Sequence, residues 1–345
     1  MGKFLRNCWV MAGWSHEIGD ALLRRRILDD PILLYRRQDG TIAAMIDRCP
    51  HRFAPLSMGE RNGDVIHCAY HGLAFDSEGA CVLNPFSDSL PKGTQIRTFP
   101  VEERDGIVWL WPAEADKADT SLIPDFSMLF IEGHGPPLSG YTMMQANYEY
   151  GTDNLLDLSH IEFVHKGTFA GNGVIFAGEH ELKEEGRQLH SNWFMRDIAA
   201  PPHTYGIYPP DMRCDHWLDM RWDPPASMYL AVGACAHGAA RDDNPVIAHQ
   251  THILTPESDT TTHYFWATTR GGPPSEEGDA MMRTMFTQAF DEEDKPIIEA
   301  AYHNISGADF WDMKPAFLGI DAGGTKARRL IQKLIQQESN THGTI

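Results

Sequence analysis

Along the first third of the chain, apolar and polar positions alternate in short runs punctuated by turn residues. Pro31-Ile32-Leu33-Leu34-Tyr35 gives way to the turn Gln38-Asp39-Gly40 and then to Thr41-Ile42-Ala43-Ala44-Met45-Ile46, the pattern of neighbouring strands. Gly106-Ile107-Val108-Trp109-Leu110-Trp111 is a further apolar run that closes at Pro112, and the polar stretch Ala113–Thr120 follows it. The spacing predicts a β-rich domain over residues 1–118 and a second domain over 119–345.

Beyond that boundary the pattern is mixed, as in an α+β fold. A short helix is predicted around Asp153–Ile161. Strand-like runs follow near residues 180–195, 215–222, 227–236, 246–255 and 261–269, and Gly271-Gly272-Pro273-Pro274 reads as a loop. From Met281 to Tyr302, Met282, Phe286, Ala289, Phe290, Ile297, Ile298 and Ala301 recur at helical spacing. Pro296 lies inside that run and should kink it or force a local adjustment. A last helix is predicted over Thr325–Gln337.

The formal net charge of −19 argues against nucleic acid, whose binding needs a dense basic surface. No apolar run approaches the roughly 18 residues that span a bilayer. The first residues carry tryptophans, a histidine and an early acid where a signal peptide would be smoothly apolar, so a cytoplasmic protein is expected. Six cysteines scattered through a long chain do not form a secreted disulfide framework.

Two of those cysteines sit in the strongest motif. Sixteen residues separate Cys49-Pro50-His51 from Cys68-Ala69-Tyr70-His71. A Rieske [2Fe–2S] centre needs two thiolates on one iron and two imidazoles on the other. Two loops that each offer one Cys and one His supply that set. A zinc site would take the same ligands, but typical fingers pair Cys with Cys and His with His.

Downstream, Asp153-Asn154-Leu155-Leu156-Asp157-Leu158-Ser159-His160-Ile161-Glu162-Phe163-Val164-His165 offers two histidines. With a carboxylate they would make the 2-His-1-carboxylate set of a non-haem Fe(II) centre. Residues five apart on an ideal helix point about 140° apart, so one histidine must sit where the helix ends or bulges. The carboxylate is sought in Asp291-Glu292-Glu293-Asp294. If Phe286, Phe290, Ile297 and Ala301 face inward, Asp294 lies about 40° from Phe290 and Glu293 about 60° to the other side. Asp291 and Glu292 suit a solvated face. An inward acid beside Phe290 would be costly unless a cation neutralised it, which selects Asp294.

The stretches CPHRFAPLS and CAYHGLAFD resemble the Rieske domain of bacterial aromatic-ring and dealkylating oxygenases. The respiratory-chain Rieske protein, whose loops carry an extra cysteine each, is a poorer match. The whole chain resembles the terminal oxygenases of the vanillate and dicamba O-demethylase and chloroacetanilide N-dealkylase group. That resemblance implies an N-terminal all-β Rieske domain and a catalytic domain with a large antiparallel sheet packed by helices, of the helix-grip kind. It implies an O2-dependent monooxygenase with a Rieske cluster and a mononuclear iron. Electrons would come from NAD(P)H through a flavin reductase, with or without a ferredoxin. It also implies a homotrimer in which Asp157 hydrogen-bonds His160 and a Rieske histidine of the neighbouring subunit, and it places Asn154 as a polar wall of the iron site.

In the aryl-acid demethylases of the group, polar side chains hold the substrate carboxylate. The resemblance places His252, Leu230 and Met285 at that pocket, with Leu230 where an amide is expected and Met285 where an indole is. Leu230, Met285 and Phe286 should favour an uncharged substrate, since an unpaired carboxylate would be costly there. The expectation is N-dealkylation of a neutral aryl amide of the chloroacetanilide kind, with O-demethylation of a methoxybenzoate, or ring hydroxylation, as alternatives. Arg48, Arg52 and Arg61, beside the cluster motif, are expected to dock an acidic ferredoxin. A simple Rieske electron carrier would need only the first third of the chain, and a regulatory protein with a relic site would lack O2-dependent turnover.

Overall fold

The computed structural model describes residues 3–166, 168–169, 173–201, 204, 207–244 and 246–342. The chain divides into two compact units. One runs to Ile123 and includes Thr255–Asp259 and the residues from Glu338; the other comprises Pro124–Leu254 and Thr260–Gln337.

The first unit is built from small antiparallel sheets. β1 (Val10–Trp14) pairs with β10 (Ile107–Leu110), which pairs with β9 (Val101–Arg104); β2 (Leu23–Ile27), β3 (Asp30–Arg36) and β4 (Ile42–Ile46) form a second sheet. β5 (Glu60–Asn62), β6 (Val65–His67), β7 (Ala74–Phe75) and β8 (Cys81–Leu83) form a third. The apolar runs of the sequence supply β3, β4 and β10. The β9–β10 hairpin turns through Asp105 and Gly106, both at positive φ (56° and 69°), the backbone a two-residue hairpin demands. Leu33, Tyr35, Met45, Leu56, Ile66 and Phe75 pack into one core that also takes in Cys49 and Cys68. The two motif loops are therefore anchored at their cysteines.

The second unit is organised on a seven-stranded antiparallel sheet. Its strands are β11 (Leu138–Met144), β12 (Glu179–Glu185), β13 (Gln188–Ala199), β14 (Arg213–Asp223), β15 (Ser227–Ala236), β16 (Val246–Pro256) and β17 (Thr262–Thr268), in the order β11-β17-β16-β15-β14-β13-β12. The run expected near 180–195 is two strands folded back around Gly186, at φ 62°. Gly233 lies opposite Trp217, and Gly140 opposite Trp266. A Cβ at either glycine would fall inside the facing indole, so glycine is required for the close approach.

Helix α1 (Tyr148–Leu156) starts five residues earlier than the sequence suggested, because the Asn147 side chain caps it by accepting from the Glu149 amide at 3.0 Å. It stops at Asp157; a 3₁₀ turn (Leu158–His160) and the one-turn helix α2 (Ile161–Val164) follow. The single kinked helix expected over Met281–Tyr302 is instead α3 (Glu276–Thr287), a π-helical stretch (Gln288–Asp294) and α4 (Lys295–Asn304). Pro296 sits in the first turn of α4, which continues from the π stretch, so its missing N–H falls where the helix changes register. The adjustment is taken up by the π segment ahead of it. Helix α5 (Ala322–His342) is longer than expected at both ends. No helix among the described residues is long and apolar enough to cross a membrane.

Helix α1 is held by Arg328 of α5. Its guanidinium donates to Asp153 (2.7 and 2.9 Å to Oδ2) and to Glu149 (3.1 Å) and lies 4.1 Å from the Phe310 ring centroid. Arg328 is 3% exposed, so removing it leaves two half-buried acids without their shared cation. Arg328→Leu is expected to lower unfolding free energy by about 2 kcal/mol, less than for a fully buried pair because both acids keep some water, measured by urea denaturation. A loss under 1 kcal/mol would show that the pair does not hold the helix.

Candidate metal centres

The two motif loops have the same backbone construction. The Cys49 amide donates to the Ala54 carbonyl (2.8 Å) and the Phe53 amide to the Cys49 carbonyl (2.9 Å); the Cys68 amide donates to Leu73 and the Gly72 amide to Cys68 at the same distances. The fifth residue of each loop has positive φ, 61° at Phe53 and 71° at Gly72. Cys49 and Cys68 are buried free thiols, and burial, ahead of the neighbouring Cys68, pushes the Cys49 thiol pKa up. The rings of His51 and His71 lie 4.5 Å apart. The loops thus bring two sulfurs and two imidazoles together, the donor set of a Rieske cluster. His71 Nδ1 is buried without a hydrogen-bond partner, an omission that a metal ligand would explain.

Of the three arginines expected at the docking face, Arg48 and Arg52 are exposed. Arg61 is not available. It donates to the carbonyls of Gly63 (2.6 Å) and Asp20 (3.0 Å) and to Asp64 (3.1 Å), and it covers the Tyr35 ring at 4.8 Å.

In the second unit His160, His165 and Asp294 bring one ligand atom each within 4.8 Å of one another. His160 Nε2 is 3.5 Å from Asp294 Oδ1, and His165 Nε2 is 3.2 Å from Oδ2. The helix break that the five-residue spacing required is present. His160 ends the 3₁₀ turn and His165 caps α2, with φ −94° and ψ 35°. Asp294 closes the π stretch and is 2% exposed.

The other ring nitrogens are occupied, which leaves Nε2 of both imidazoles for a cation. His165 Nδ1 meets Glu293 Oε2 at 2.8 Å. Burial holds His160 below the ordinary imidazole pKa. Burial acts the same way at His165, but Asp294 and Glu293 outweigh it and raise that pKa. Asn154 Nδ2 donates to Asp294 Oδ1 at 3.3 Å. Glu293, weighed in the sequence only as an alternative ligand, supports His165 instead: it also accepts from Thr168 Oγ1 (2.6 Å) and Gln288 Nε2 (3.1 Å). Outer carboxylates of this kind orient and strengthen metal-binding imidazoles. Glu293→Ala is expected to weaken iron binding about 10–100-fold in chelator competition; unchanged affinity would make Glu293 a purely structural acid.

The expected contact of Asp157 with His160 is made differently. His160 Nδ1 bonds the Asp157 main-chain carbonyl at 2.5 Å, while the carboxylate caps the 3₁₀ turn, accepting from the Ser159 amide (3.0 Å) and Oγ (2.6 Å). Asp157 orients the imidazole through its backbone because the turn points its side chain at Ser159.

A cavity of about 250 Å³ opens beside the triad. Ile161, Phe169, Leu218, Leu230, Met285 and Phe286 are among its walls, and Phe169 sits 5.6 Å edge-on to His165. Leu230 and Met285 are thus where the pocket was expected. His252 is not among the lining residues described. It is 2% exposed, meets the Tyr264 hydroxyl at 2.8 Å and lies edge-on to Phe290 at 5.2 Å. Burial lowers its pKa to about 4, with Asp294, His160 and His165 also acting on it, so it is a neutral imidazole bonded to Tyr264.

A mixed Cys/His pair of loops in one unit, and two histidines with a buried carboxylate in the other, define the class of Rieske non-haem iron oxygenases. Residues 8–100 match the Rieske [2Fe-2S] domain, and residues 144–337 match the vanillate O-demethylase oxygenase C-terminal domain. The chain is 33% identical over 344 residues to the dicamba O-demethylase oxygenase component of Stenotrophomonas maltophilia, covering 97% of this chain and 99% of that one. It is 32% identical to the chloroacetanilide N-alkylformylase oxygenase component of Rhizorhabdus wittichii (strain DC-6 / KACC 16600), covering 97% of each. A crystal structure of dicamba monooxygenase bound to dicamba superposes with a TM-score of 0.89 at 33% identity, covering 98% of this chain and 99% of that one. The chain belongs to the vanillate O-demethylase oxygenase family. It is a Rieske non-haem iron monooxygenase, and its cofactors are a [2Fe–2S] cluster and a mononuclear iron.

Proposed function

We propose that Cys49, His51, Cys68 and His71 hold the cluster and that His160, His165 and Asp294 hold the catalytic iron, with Asn154 steadying Asp294. When bound, these groups supply the electrons and the oxygen activation. The chain's own residues position the metals and shape a dry place for the substrate. Asp157, fixed at the turn that carries His160, links the iron site to the cluster of a neighbouring subunit in a homotrimer. A reductase, with or without a ferredoxin, delivers electrons at the face carrying Arg48 and Arg52. The names of two relatives as oxygenase components support the reading that a separate component delivers the electrons.

We further propose that the substrate is a neutral, single-ring aromatic amide and that the reaction is oxidative N-dealkylation. Hydroxylation of the N-bound carbon consumes O2, two electrons and two protons and releases water. The carbinolamine then collapses to an N–H product and an aldehyde without an acid or base from the protein. The carrying observation is the lining of the cavity. No Lys or Arg is among its described residues, so a carboxylate would enter unpaired. The cavity's volume suits one ring with a small substituent. The relative from Rhizorhabdus wittichii acts, by name, on chloroacetanilides. A second reading, O-demethylation of a methoxybenzoate, is favoured by the names of the dicamba and vanillate relatives.

With a surrogate reductase, aldehyde release should be at least about tenfold faster, as kcat/KM, from neutral N-alkyl anilides than from methoxybenzoates, the scale of about 1.4 kcal/mol for an unpaired charge. The reverse order would overturn the neutral-substrate reading.

A further inference from the structure

Four side chains that line the cavity can hydrogen-bond: His216, Gln250, Thr268 and Thr269. Three of them are already engaged. His216 Nδ1 meets the Gly233 carbonyl at 2.6 Å, Thr268 Oγ1 donates to the Thr269 carbonyl at 3.4 Å, and Thr269 Oγ1 accepts from the His249 amide at 3.0 Å. The Gln250 carboxamide makes no hydrogen bond to any described residue. Gln250 lies on β16 directly opposite Leu230 on β15, and both line the cavity. Side chains alternate along a strand. The neighbours of Gln250 belong to the other face, where the Tyr229 hydroxyl meets His249 Nδ1 at 2.6 Å and Thr251 Oγ1 donates to the Met228 carbonyl at 2.9 Å.

An unengaged carboxamide in an apolar wall offers two N–H donors and one carbonyl acceptor, with no charge. Its complement is an uncharged carbonyl or amide. A carboxylate could accept from the same N–H group, but its charge would remain without a cation. We propose that Gln250 is a specificity-determining residue that hydrogen-bonds the carbonyl or amide of the aromatic substrate. This rests on the neutral-amide reading above and adds the side chain that would read the amide.

The test uses the full-length holoenzyme and the Gln250→Met variant, which keeps the length of the side chain and removes its hydrogen bonds. The probes are N-methylacetanilide and N-methylaniline, which differ by the carbonyl-bearing acyl group. Gln250→Met should raise KM for the anilide about tenfold, the scale of one neutral hydrogen bond, with kcat changed less than about twofold. KM for the aniline should stay within about twofold. The dissociation constant of the anilide, measured by calorimetry without reductant, should rise by the same factor, which separates recognition from any effect on oxygen chemistry. Equal losses for both probes, or no change with the anilide, would overturn the role of Gln250 while leaving the neutral-substrate reading in place. Wild-type enzyme that turns over methoxybenzoates but neither probe would overturn both.

Discussion

Asp294→Ala is expected to abolish turnover, by about 10³-fold or more, and to strip the mononuclear iron while leaving the visible spectrum of the Rieske cluster unchanged. Asp294 supplies the only carboxylate of the described triad. With it gone, two imidazoles remain that cannot neutralise a divalent cation. The unaltered cluster spectrum matters as much as the lost activity. Cys49, His51, Cys68 and His71 lie in the other compact unit, so a variant that lost both signals would indicate global unfolding. Retained iron and turnover would remove Asp294 from the ligand set. Asp294→Asn keeps the shape and Asn154's neighbour while removing the charge. It should fall between the two, with weakened iron binding in chelator competition.

Asp157→Asn should behave differently. Asparagine can still accept from Ser159 through its amide oxygen, and the main-chain carbonyl that holds His160 is untouched. Both metals are therefore expected to remain bound. Turnover should nonetheless fall by about 10²-fold or more, the scale of removing a positioned proton-transfer group, because the carboxylate is proposed to couple the cluster of one subunit to the iron of the next. Stopped-flow measurement would place the loss at reoxidation of the reduced cluster in the presence of substrate and O2. Full activity with normal iron content would reduce Asp157 to the turn cap seen in the fold.

Much of this was legible in the sequence where chemistry and spacing coincide. The mixed Cys/His pairs could be read because few ligand sets use them, and the five-residue spacing of His160 and His165 required one of them to sit at a helix end, as His165 does at the end of α2. Strands β14 to β17 were legible because apolar runs of that length recur between turn residues, whereas β11 was not expected and β12 and β13 read as one run. Other features depend on local geometry that spacing does not encode. Whether Glu293 turns toward His165 is decided by the π stretch, which rotates the acidic run away from the ideal helix used to place it. The contact of Asp157 runs through the backbone, which no side-chain pattern reveals. Arg61 reads as a surface cation until the carbonyls of Asp20 and Gly63 close around it. Gln250 enters the cavity because of the register between β15 and β16, a pairing set across twenty residues of chain. The bond of His252 to the Tyr264 hydroxyl, twelve residues further on in the next strand, is likewise a pairing that no local pattern encodes.

The most direct test is chemical analysis of iron and acid-labile sulfide in the purified full-length protein and in its His160→Ala variant. Two chemically different sites predict about three irons and about two sulfides per chain for the wild type, and about two of each for the variant. Two irons in the wild type, or an undiminished third iron in the variant, would contradict the account.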